Sequence, residues 1–77
     1  MEELDSVILI TEIPEYGLKA GDIGTVVLVH GDCAGYEVEF TRLSGETLAV
    51  VSLSPSDVRS IGDKEIAHAR VLECVTR

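Results

Sequence analysis

The heptapeptide Tyr36–Arg42, YEVEFTR, alternates strictly between apolar Tyr36, Val38 and Phe40 and polar Glu37, Glu39 and Thr41. Successive side chains of an extended strand point to opposite faces. This period of two therefore sets three apolar groups on a core and turns two carboxylates and a hydroxyl to water. A helix would scatter the same residues around its circumference. The flanks, GDCAG at Gly31–Gly35 and LSG at Leu43–Gly45, are turn sequences, so the segment is the middle strand of two consecutive hairpins.

The rest of the chain fits around that strand. Ile23–His30 before it and Glu46–Leu53 after it are short runs rich in β-branched residues, and Ser6–Thr11, SVILIT, is another, closed by Pro14. Ser54–Val58, SPSDV, suits a single 3₁₀ turn from which Val58–Ser60 returns as a short fifth strand. In KAGDIGTVV, Gly21 takes the third position of a type II turn, which requires φ > 0, and Gly24 marks a bulge or a close backbone approach at the start of the second strand. Gly35 and Gly45 belong to the turns on either side of the third. The expected fold is all-β, a small barrel of about five strands over residues 1–60 with a C-terminal extension over residues 61–77. The extension reads two ways. Asp63 offers an N-cap for a helix from Lys64, whereas Val71, Glu73 and Val75 alternate with Leu72 and Cys74 as in a strand.

A chain of 77 residues buries only about 60% of the surface its unfolded form exposes. Yet three of its strands are apolar on both faces. Val7 and Leu9 alternate with Ile8 and Ile10; Ile23, Val27 and Val29 with Val26 and Leu28; Leu48 and Val50 with Ala49, Val51 and Leu53. One small barrel buries one set. The other, which includes Ile8, Ile10, Val26 and Leu28, has to be covered by the extension, by a second copy or by a different protein. The expectation is a homo-oligomer in which residues 61–77 take part, in the limit by exchange of that element between copies.

Charge narrows the partners. Fourteen acidic residues against six basic ones give a net charge of −8, and the Lys and Arg are scattered along the chain, which argues against phosphate-backbone binding. Glu37 and Glu39, together with Glu12, Glu15 and Asp22 of the first loop, form an acidic face suited to a basic protein partner. Tyr16 in the same loop adds an aromatic contact for a protein ligand. The acidic N-terminus MEELDS and the brevity of the apolar run Val7–Ile10 argue against a secretory leader or a membrane span, and the expected compartment is the cytosol. Cys33 and Cys74 are then free thiols, able to pair only on oxidation.

Catalytic signatures are missing: the chain has no GxSxG, HExxH, P-loop, dinucleotide fingerprint or CxxC, so no enzyme is expected. Glu65 and His68 have the Glu-x-x-His spacing of carboxylate-bridged metal helices but occur once, and His30, Asp32 and Cys33 cluster at a turn without a second ligand pair. No metal or cofactor is expected.

The ordered blocks GLKAGDIGTVV, GYEVEF, GETLAVVSL, SDVRSI and EIAHARVL resemble a bacterial family of domains of unknown function, over nearly the whole chain. More distantly, the glycine-flanked GTVV strand followed by YEVEF resembles the SH3-like barrels of KOW-type and nitrile hydratase β-subunit-type domains. That resemblance implies a strongly bent five-stranded sheet. The first implies a non-catalytic partner protein of antitoxin or immunity type; the second, as an alternative, a nucleic-acid or ribosome-binding module, although the loops around GTVV carry Glu12, Glu15, Asp22 and Asp32 against Lys19 alone. A minor metal-binding role is the remaining alternative.

Overall fold

The turn-forming breaks in the sequence and the strand ends coincide to within a residue or two. In the computed structural model, which describes residues 2–72, the strands are β1 Ser6–Leu9, β2 Ile23–Val29, β3 Tyr36–Thr41, β4 Thr47–Leu53 and β5 Val58–Ser60. They form one antiparallel sheet in the order β4-β3-β2-β1-β5. Four strands follow one another as a meander, beginning with β1. The fifth crosses back through the 3₁₀ turn Pro55–Asp57 to pair with the first, Leu9 opposite Val58 and Val7 opposite Ser60.

The core lies on one face of this sheet. Val7, Leu9, Val26 and Val38 are wholly buried, and Tyr36, Phe40, Val51, Leu53 and Val58 close around them. Tyr36, Val38 and Phe40 thus face inward together, as their alternation requires. Leu18, from the β1–β2 loop, is also in the core. That loop folds back on itself because the 3₁₀ turn Pro14–Tyr16 ends at Gly17 in the left-handed region and a bridge joins Ile13 to Leu18.

The two glycines before β2 solve different problems. Gly21 has φ +98°, with open space where a side chain would project, and the Asp22 N–H donates to the Lys19 carbonyl at 3.0 Å across it. This is the expected turn. Gly24 is under β3: a Cβ there would lie 2.5 Å from Val38 Cγ1 and 2.9 Å from Phe40 Cε1. Of the two expectations for this residue the close approach is realised, and the bulge lies three residues further on.

Val26 is not on the outer face expected for it, because it lies opposite the inward-facing Val38 ahead of that bulge. The β2–β3 register runs Val26 opposite Val38 and then Leu28 opposite Glu37, with Val27 as the extra residue. Beyond the bulge the alternation changes phase. Val26 and Leu28, expected on one outer face, are therefore separated: Val26 is in the core, and Leu28 lies outside beside Glu37.

The extension is neither of the expected elements over residues 61–72. Beyond a turn at Asp63–Lys64 it has no helix or strand, and the continuation of the alternating pattern through Glu73, Cys74 and Val75 lies outside the described residues.

Candidate functional site

β1 lies between β2 and the edge strand β5, and its outward side chain, Ile8, faces away from the core. Ile8 is nevertheless 7% exposed. The cleft it lines is walled by Ile61 and by Glu65–His68, so the chain's own extension covers this part of the second apolar set. Ile23, next to it on β2, stays 42% exposed, and Ile10 at the end of β1 47%.

Two ion pairs tie the extension down. Arg59 on β5 donates from Nη1 to Glu65 Oε1 at 2.9 Å and from Nη2 to Glu65 Oε2 at 2.6 Å, and the Gly62 N–H donates to the same carboxylate at 2.6 Å. Hydrogen bonds from Arg59, then from the Gly62 N–H, hold the Glu65 carboxyl down at about 2. Glu65 is thus committed to Arg59, on a segment that is not a helix. Further along, Arg70 grips Asp22 with Nε at 2.8 Å and Nη2 at 2.6 Å and also donates to the Gly17 carbonyl at 2.9 Å. Partial burial pushes the Asp22 carboxyl up. The Arg70 hydrogen bonds, the Lys19 backbone N–H and the two positive charges outweigh this and hold it below its usual range.

Beyond Arg70 the extension reaches an open groove of roughly 430 Å³ between the first loop and the β3–β4 turn. Its apolar wall is Pro14, Tyr16, Leu48 and Leu72. Lys19, Arg42 and Arg70 stand around it, three of the six basic residues in the chain. Tyr16, expected as a recognition residue, is 46% exposed there. Arg70 is paired with Asp22 and Arg42 with Glu46, and Glu12 lines the groove beside them.

Glu37 and Glu39 point outward from β3, as expected. Neither is a bare charge: Glu37 accepts from the Ser52 hydroxyl at 2.6 Å and contacts His30 Nε2 at 2.8 Å, and Glu39 accepts from the Thr47 hydroxyl. Hydrogen bonds from Ser52 and then His30 lower the Glu37 carboxyl. His30 is therefore engaged across the hairpin by Glu37. No group of three or more His, Cys, Asp or Glu side chains placed to hold a metal occurs among the described residues. Leu28, 45% exposed, and Val50, 51% exposed, flank the two glutamates on β2 and β4.

Gly35 and Gly45 remain structural. Gly35 sits against the Leu53 carbonyl, where a Cβ would lie at 3.1 Å, and Gly45 closes the β3–β4 turn with its N–H on the Arg42 carbonyl. Sequence reasoning missed Leu18 and the pairing of Arg70 with Asp22. A lone leucine in a polar loop is a weak signal for the first, and 48 residues separate the partners in the second.

The family model described as Domain of unknown function (DUF4926) matches residues 3–60. The chain belongs to this family. The DUF4926 match spans all five strands and stops where the extension begins. Comparison with curated proteins gave no match, and comparison with solved structures gave none either. Among the described residues of this DUF4926 protein, no helix is long and apolar enough to cross a membrane.

Proposed function

We propose that this DUF4926 protein is a non-catalytic protein-binding module that also associates with copies of itself, built on an SH3-like barrel. The barrel reading is supported by the strand order, in which a four-strand meander is followed by a 3₁₀ turn and a short strand returning to β1. One observation carries the binding reading. Ile10, Tyr16, Ile23, Leu28 and Val50 are each left between 42% and 51% exposed on the strands or the first loop. Apolar groups held half out of water on ordered elements favour contact with another protein.

The test is to isolate a partner with the tagged full chain and then titrate the purified partner against the parent and Tyr16→Ala. Weakened binding by Tyr16→Ala places the contact at the loop groove. A Glu37→Lys/Glu39→Lys double variant, measured at low and high salt, reports whether the carboxylate face steers a basic partner, since exposed charges are screened within about 8 Å at physiological ionic strength. Binding of RNA or DNA with a salt-sensitive mobility shift, and of no protein, would replace this reading with a KOW-like nucleic-acid module.

A further inference from the structure

The two edges of the sheet are built differently. β5 is three residues long and carries Arg59, and a short, charged edge strand is protected against pairing with another chain. β4 has neither protection. Thr47–Leu53, TLAVVSL, is seven residues without a charge or a proline. Its inner edge is paired with β3, and the irregularity at Leu48 leaves Ala49–Leu53 regular. Among the described residues no backbone group of Leu48–Ser52 bonds to anything beyond the strand ladder. Alternate residues of an antiparallel edge strand hold their N–H and C=O outward, so this edge is a template waiting for a strand.

We infer that the β4 edge is a self-association surface, on which β4 of a second copy pairs antiparallel about a two-fold axis and joins the two sheets. The inference rests on the protein-binding reading and names its surface and partner. Charge permits a second copy at this edge. At net −8 two copies repel over most of their surfaces, and the β4 edge brings no formal charge to the contact. Glu46, which precedes Thr47, is paired with Arg42 at 3.0 Å, and Glu37 and Glu39 lie one strand behind the edge on β3. Across the joined sheet they would face their counterparts at three strand spacings, about 14 Å, beyond the screening length of about 8 Å. An antiparallel pair about a two-fold axis is also self-complementary, so one strand supplies both sides.

Val50→Lys tests this with little risk to the fold. Val50 is half exposed and lies opposite Glu39, so the lysine gains a cross-strand partner within its own chain while two lysines meet across the axis. The parent should be dimeric by sedimentation velocity at high concentration, with β4 amides slow to exchange hydrogen. Val50→Lys should weaken the dimer on the order of tenfold and free those amides, at an unchanged far-ultraviolet spectrum. A parent dimer that Val50→Lys leaves intact but Tyr16→Ala dissociates would overturn edge pairing and keep self-association through the groove. A parent that stays monomeric up to millimolar concentration would overturn edge pairing and self-association together, leaving binding to other proteins to its own titration.

Discussion

Gly24→Ala should destabilise the protein more than its size suggests. The added methyl carbon would stand 2.5 Å from Val38 Cγ1, 2.9 Å from Phe40 Cε1 and 3.1 Å from the Glu39 carbonyl oxygen. Carbon atoms pack best at about 3.5–4.0 Å, so the first contact is about 1 Å too short. Retreat is blocked. Val38 is wholly buried and stiff at χ1, Phe40 is 2% exposed, and the third neighbour is backbone. Overpacking of this kind costs about 1–3 kcal/mol, and two short contacts put Gly24→Ala in the upper half of that range. In a domain of this length each kcal/mol moves the thermal midpoint by about 4–8 °C, so a fall of roughly 8–24 °C is expected. Circular dichroism melts of parent and variant measure it. A midpoint equal to the parent's would mean that β2 and β3 do not approach as described.

Gly21→Val acts by a different mechanism, since there the space is open but φ is +98°; a β-branched residue in that region costs about 1–3 kcal/mol, and an unchanged melt would refute the turn. The Glu65 carboxyl is held below its ordinary value of 4.5, so its contribution to holding the extension is complete above pH 4.5 and is lost as pH falls toward about 2. The Gly62 amide, which donates to that carboxylate, reports it by NMR: a midpoint near 2 is expected, and one near 4.5 would show that the Arg59–Glu65 contact does not form in solution.

How far these features were legible depends on the distance over which each is decided. The strand limits were readable because they are set locally: Gly21, Gly35, Gly45 and Pro55 stand where the chain must turn, and Val58–Ser60 matches its expected span. The inward face of β3 followed from alternation alone. The phase of β2 did not, because nothing in IGTVVLV distinguishes a regular strand from one with an extra residue at Val27; the register with Glu37 and Val38 decides it. The extension was least readable. Its apolar residues suit a helix or a strand, but its path is set by Arg59–Glu65 and Arg70–Asp22, contacts between segments that the sequence does not show to be neighbours. The site divides in the same way: Tyr16, Glu37 and Glu39 face outward as their positions imply, while the gathering of Lys19, Arg42 and Arg70 around Tyr16 is a product of the fold.

The pairing of β1 with β5 sets an order of events during synthesis. β2, β3 and β4 are joined by short turns and can zip together once Leu53 has left the ribosome, but β1, made first, keeps one edge open until Val58–Ser60 emerges. Contacts between distant parts of the chain form late and slow folding. For the time it takes to translate the last part of the domain, Val7 and Leu9 lack the Val58 side chain that closes over them. The nascent chain is then most open to capture by chaperones or to pairing with another copy, and a stop or cleavage before residue 58 would make that open state permanent.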